Sequence, residues 1–296
     1  VVSGFGVSGF GVSTAGQDDP PRDLPDLLGR LVRRDAPAAA VIDVAADRRA
    51  IVVSRAELWR RTLALADELA RAGVGRGDCV AVWLPNWSDA LCWQFAAAAL
   101  GAHVIGVNTR YNVDEVTHLL DSARPRLVAV AHGFHGLDLR ERLVTAARRS
   151  AAPTPAVAVV LGPAPADTGT ELAGAELTGT ELAATDLADY DLGAGAWTPG
   201  RPSGRPPEPA PSDPAALAVA FTTSGSTGRP KLAAHSGTGV LRHALAGAAA
   251  IGLATGDVLL CGVPLAGTYG FSAAMAALAG GATVLLEPVF DADAVL

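Results

Sequence analysis

The chain has 296 residues, half of them hydrophobic and 18% charged, so it can build a sizeable core and is not disordered throughout. A net charge of −7 and the lack of a basic stripe exclude nucleic-acid binding as its business. Cys79, Cys92 and Cys261 lie in apolar runs without CxxC spacing, which predicts buried, reduced thiols rather than disulfides or a zinc site.

Residues 1–18 repeat Val-Ser-Gly-Phe-Gly as Val2–Gly6 and Val7–Gly11, with no charged n-region, and are expected to form a disordered tail rather than a secretory signal. Residues 19–162 follow as a first α/β part. Asp23 to Arg34 reads as an amphipathic helix, and Ala39–Ala45 and Ala50–Val53 as strands around the turn Asp47-Arg48-Arg49. Ser54-Arg-Ala-Glu57 has capping-box spacing and opens a helix to about Ala72. Then come strand Cys79–Leu84, helix Ser88–Leu100, strand His103–Val107, helix Val113–Ser122, strand Arg126–Ala131, helix Leu137–Ser150 and strand Ala156–Leu161. Apolar strands alternating with helices predict an α/β fold, a parallel sheet covered on both faces.

Residues 163–213 break the pattern. Five pentads centred on Leu172, Leu177, Leu182, Leu187 and Leu192 precede a proline-rich stretch. Five pentads are little more than one coil of a solenoid, so the segment reads as a linker or insertion. In residues 214–296 the alternation resumes with strand Ala215–Thr222, helix Ser236–Ala250, strand Val258–Cys261, helix Phe271–Leu278 and strand Ala282–Leu286. No apolar run reaches the ~18 residues of a membrane span, and a cytoplasmic location is expected.

The chemistry gathers after the strand that ends near Thr222. Thr223-Ser-Gly-Ser-Thr-Gly-Arg-Pro-Lys231 combines hydroxyls, glycines and Lys231, the only lysine in a chain whose Lys and Arg total 23. Glycines let backbone N–H groups approach an anion, hydroxyls add donors, and an ammonium neutralises phosphate. A Walker A loop requires Gly-Lys-Ser/Thr where this chain has Pro230-Lys231-Leu232. His103, His118, His132, His135, His235 and His243 show no metal-ligand spacing, and His235 is a candidate loop cap or substrate contact.

Thr223 to Lys231 resembles the signature loop of the AMP-binding, adenylate-forming superfamily, which includes acyl-CoA synthetases, peptide-synthetase adenylation domains and luciferases. Gly73–Asn86, Leu100–Tyr111 through Leu120, Pro264-Leu265 with Tyr269-Gly270, and Gly280–Thr283 through Phe290-Asp291 resemble further family segments in order and spacing. The resemblance covers about 20–162 and 214–296.

It implies the N-terminal large domain of an enzyme that activates a carboxylic acid with ATP and Mg2+ as an acyl-adenylate, then transfers it to coenzyme A or a carrier-protein thiol. It also implies that Thr223, Ser224, Gly225, Ser226, Thr227, Gly228 and Lys231 hold the ATP phosphates, and that Tyr269 and Gly270 line the acid pocket. Leu232 replaces the usual glycine, and Gly267 stands where many acyl-CoA synthetases have histidine. The family's later motifs and catalytic lysine have no counterpart up to Leu296, so the chain reads as an N-terminal fragment, inactive alone. A non-catalytic nucleotide-binding remnant is the alternative. If 163–213 is a linker, limited proteolysis should cut there and leave two associated pieces; uniform resistance across it would contradict that reading.

Overall fold

The computed structural model describes residues 20–163, 194–196, 213, 215–223 and 230–289. The expected tail and, apart from 194–196 and 213, the pentads and proline-rich stretch lie outside the described residues.

In chain order the elements are α1 (Leu24–Arg34), β1 (Ala39–Val44), β2 (Ala50–Ser54), α2 (Arg55–Arg71), β3 (Cys79–Trp83), α3 (Ser88–Ala99), β4 (His103–Gly106) and α4 (Val113–Ala123). They continue with β5 (Leu127–Ala131), α5 (Leu139–Arg149), β6 (Ala156–Val160), β7 (Ala194–Ala196), β8 (Leu217–Thr223), β9 (Lys231–Ser236), α6 (Gly237–Ile251), β10 (Val258–Cys261), α7 (Thr268–Gly280) and β11 (Thr283–Leu286).

The expected α/β fold is present, but its strands divide between two sheets. One has the order β7-β6-β5-β3-β4-β8-β9 and the other β10-β11-β1-β2. All neighbours are parallel except β8 with β9 and β1 with β2. Strands β3 and β5 are buried at every residue, which is why they read as unbroken apolar runs. From β3 the chain crosses to β4 on one side, then from β4 back to β5 on the other. Right-handed crossovers in opposite directions put α3 and α4 on opposite faces.

Local signals start the helices. Ser54 Oγ accepts from Glu57 N at 3.1 Å, while the Glu57 carboxylate accepts from Arg60 and Arg61 instead of closing the box. The reciprocal capping box forms at α4, between Asn112 and Glu115. The three thiols are buried and free. Burial pushes Cys79 up to about 12 and Cys261 up to about 11, so both stay protonated and unreactive at neutral pH.

The two sheets meet through a polar joint at the end of β3. Asn86 Nδ2 donates to the carbonyls of Cys261 (3.1 Å), Val263 (2.9 Å) and Glu287 (3.1 Å), and its Oδ1 accepts from Leu265 N at 2.7 Å. Nearby, Asp43 of β1 accepts from Ser88 N at 2.7 Å and from Ser88 Oγ at 2.5 Å, so the four-stranded sheet grips the first turn of α3. Gly106, at the end of β4, lies so near this joint that a Cβ there would fall 2.6 Å from the Ala266 carbonyl oxygen.

Asn86→Ala leaves buried carbonyls without their donor and should cost about 3 kcal/mol in urea unfolding. Asn86→Asp should cost at least as much, because it turns a carboxylate toward three carbonyl oxygens. Wild-type stability in Asn86→Asp would show that the joint is not held by this amide.

Burial raises the Asp43 carboxyl to about 7, with the Ser88 bonds opposing the rise and Asp89 adding to it. Between the unfolded value near 4 and about 7, the folded state binds the proton more tightly. Its contribution is therefore complete at low pH and is lost as pH rises through 7, by ~4 kcal/mol. Glu68 is also raised to about 7 by burial, but it titrates in wild type and variant alike. The stability of Asp43→Asn minus that of wild type should thus increase from pH 5 to pH 8 in urea titrations; a flat difference would refute it.

Candidate active site

Strand β8 leaves the buried sheet at Phe221, and β9 returns antiparallel with Lys231 opposite Thr223. Both side chains are exposed, and the Thr223 hydroxyl donates to the Lys231 carbonyl at 3.4 Å. Two of the expected phosphate-binding residues therefore stand together at the mouth of one hairpin. Ser224, Gly225, Ser226, Thr227 and Gly228 belong to the connection between them and lie outside the described residues.

Both strand ends are gripped from the preceding part of the sheet. Tyr111, in the turn between β4 and α4, shares a 2.5 Å hydrogen bond with Thr222 Oγ1. His118, on α4, has Nε2 3.0 Å from the Pro230 carbonyl oxygen, to which its N–H donates. Tyr111 stood in one of the family-like segments, but nothing local to either residue names a partner more than a hundred positions away.

Beside the hairpin opens a cleft of ≈ 310 Å³. Phe221 and His235 form its hairpin wall, His243 of α6 stands at one side, and Thr268, Phe271 and Met275 of α7 stand at the other. The Phe221 ring packs edge-on to Phe271 with centroids 5.3 Å apart and lies 5.6 Å from the His235 ring. The cleft has an aromatic and thioether floor with imidazole and hydroxyl groups at its rim.

Of the residues that the resemblance puts at an acid pocket, Gly267, where histidine is usual, is the N-cap of α7, and Tyr269 is 86% exposed beside the cleft. Gly270 is buried under the preceding loop, where a Cβ would meet the Pro264 carbonyl oxygen at 2.4 Å. The walls themselves come from its neighbours Thr268 and Phe271.

The carboxylates closest to the hairpin on α4 are already engaged. Asp114 pairs with Arg149 at 3.0 Å, and Glu115 caps its own helix. Asp121 accepts from the Ser150 hydroxyl and the Ala151 and Ala152 amides, which hold its carboxyl below the usual range. No group of three potential metal ligands occurs among the described residues. His132 and His135 flank Phe134, whose ring packs edge-on to Trp87 at 5.9 Å, beyond the ends of β5 and β3. Trp83, Trp87 and Trp93 are buried. Among the described residues no helix is long and apolar enough to cross a membrane.

The sequence profile described as AMP-binding enzyme matches residues 30–296. The 3-[(3aS,4S,7aS)-7a-methyl-1,5-dioxo-octahydro-1H-inden-4-yl]propanoyl:CoA ligase of Mycobacterium tuberculosis is 33% identical over 279 residues, 91% of this chain and 48% of the ligase. Protein Y of Streptomyces griseus is 30% identical over 268 residues, 89% of this chain and 77% of that protein. Among solved structures, the long-chain-fatty-acid-CoA ligase FadD1 of Archaeoglobus fulgidus superposes with a TM-score of 0.71 at 19% identity, covering 97% of this chain and 51% of that one. The chain thus spans about half the length of the curated CoA ligase it matches.

Proposed function

Because the chain belongs to the AMP-binding enzyme family, we propose that it carries the phosphate-binding and acid-binding part of a ligase that activates a carboxylic acid. ATP and the acid give an acyl-adenylate and pyrophosphate, and the acyl group then passes to a thiol, coenzyme A being the first choice. Lys231 carries this reading. The chain's single lysine lies at the mouth of the β8–β9 hairpin, opposite Thr223 and bordering the hydroxyl- and glycine-rich connection.

In this reading the acid carboxylate attacks the α-phosphorus and pyrophosphate leaves in line, so the protein supplies position and charge rather than a nucleophile. Lys231 and the donors of residues 223–228 balance the charge on the β- and γ-phosphates, with Mg2+ arriving on those same phosphates. The adjacent cleft takes the acid: Phe221, Phe271 and Met275 hold its apolar body, and the imidazoles of His235 and His243 stand at the rim. A second lysine acting on the α-phosphate would come from sequence other than these 296 residues, because Lys231 is the only one here.

The 296-residue chain should therefore bind Mg-ATP but leave acid-dependent exchange of pyrophosphate into ATP at background. Lys231→Ala removes a charge-assisted hydrogen bond and should weaken ATP binding roughly ten- to a hundredfold by isothermal titration calorimetry. Lys231→Arg should recover part of that loss, since a guanidinium fork does not replace a compact ammonium. Thermal stability should hold in both. Unchanged ATP affinity in Lys231→Ala would overturn the loop assignment, and exchange above background would overturn the division of labour.

A further inference from the structure

We propose that Tyr111 and His118 are positioning residues for polyphosphate binding, holding Thr222 and Pro230 and through them the adjoining Thr223 and Lys231. The proposal rests on the phosphate-loop reading above and adds to it the part of the fold that places Thr223 and Lys231.

Tyr111 is itself held firmly. Its N–H donates to the Asn108 carbonyl at 3.0 Å, which also accepts from the buried Trp83 indole N–H at 3.0 Å. Asn108 Oδ1 accepts from Arg110 N at 2.9 Å, and the Tyr111 carbonyl accepts from Arg142 of α5 at 3.3 Å. The phenol hydroxyl on Thr222 is thus tied back to the central strand β3 and to α5. The next residue, Asn112, caps α4, so His118 rides on a helix whose start is fixed to the same turn. Ser122 Oγ lies 3.5 Å from His118 Nε2 and borders the ring on its C-terminal side. The turn at Asn108 and the helix α4 that starts from it therefore touch both Thr222, beside the end of β8, and Pro230, just before β9.

Pro230 makes the second contact count. It has no N–H, so its carbonyl is its one backbone handle, and His118 is bound to it. The β4–β8 ladder ends with Ile105 opposite Ala220, two residues before Thr222, which leaves Thr222 beyond the reach of that ladder. From the turn after β4, Tyr111 extends the grip to Thr222, the residue before Thr223 at the end of β8. Preorganised donors bind an anion better than donors that must be gathered on binding, because the ordering cost is met during folding.

Inorganic tripolyphosphate is the probe, titrated calorimetrically into the 296-residue chain, with urea unfolding alongside. Tyr111→Phe and His118→Leu should each weaken binding roughly three- to tenfold, the range of one neutral hydrogen bond. His118→Gln places an amide donor within reach of the same carbonyl and should restore most of the affinity. In a Lys231→Ala background, His118→Leu should lose much of its effect, because the loop it positions has lost its cation.

A purely structural role predicts otherwise. The loss would follow urea stability, Gln would not rescue it, and the penalty would persist without Lys231; that pattern overturns the proposal. Tripolyphosphate binding by wild type with unchanged affinity in both variants also overturns it and leaves the phosphate-loop reading standing. No binding by wild type removes that reading and the proposal together.

Discussion

The amide of Asn86 fixes how the two sheets face each other, and the geometry of the site follows from that. The β8–β9 hairpin belongs to the seven-stranded sheet, whereas α7 follows β10 of the four-stranded sheet. Nothing in either sheet's own hydrogen-bond ladder sets the distance between Phe221 and Phe271. Asn86 does, because its four bonds span the Cys261–Leu265 segment and Glu287 from the end of β3. The segment that follows then presses against Gly106 with no room for a side chain, and α7 starts where Thr268 and Phe271 can wall the cleft.

This joint is polar in a mostly apolar interior, and that choice has a physical consequence. An apolar contact between two sheets is tolerant of sliding, since dispersion and area burial vary smoothly with displacement. A side-chain amide shared among three carbonyls and one N–H is satisfied in only one arrangement. Asp43 on Ser88 works in the same way, and its burial carries a cost that Asn86 avoids. With Asp89 buried beside it and the Arg61 guanidinium as the nearby counter-charge, the Asp43 carboxylate is destabilised at neutral pH. The joint gains definition of geometry at the expense of stability, a reasonable exchange where two sheets must present one site.

Periodicity made most elements legible in the sequence. Unbroken apolar runs such as Cys79–Trp83 and Leu127–Ala131 are buried central strands, and Ser54 marks a helix start where the residue type demands it. Strand β9 gave no such signal: Lys231–Ser236 is largely exposed and mixes Lys, Leu, Ala and His, with the ladder to β8 as its reason to be extended. The division into two sheets was also invisible, because parallel neighbours are chosen by crossovers and not by adjacent sequence. At the candidate site, the hydroxyls, glycines and Lys231 carry the expectation of an anion in the sequence itself, whereas the contacts of Tyr111 and His118 are to partners that only the fold supplies. The cleft's α7 wall came out one residue to either side of the Tyr269–Gly270 pair that the family-like segment pointed to, since helical geometry turns Thr268 and Phe271 to the same face.

The hairpin also explains why a lone lysine matters here. In a Walker-type loop the phosphate sits on the N-terminus of the helix that follows, and the helix dipole supplies about half a positive charge. Here the connection after β8 runs into another strand, and α6 begins only at Gly237. The strands of a β-hairpin have almost no net dipole, so they supply nothing like the helix N-terminus of a Walker-type loop. Backbone N–H groups and hydroxyls can bond phosphate oxygens there, but they bring no net charge. Compensation must then come from a side chain at the strand end, close to the anion and compact enough to share the space with glycine N–H donors. In a chain that uses arginine wherever a general cation will serve, the proposed function makes position 231 the place where a compact ammonium balances phosphate charge.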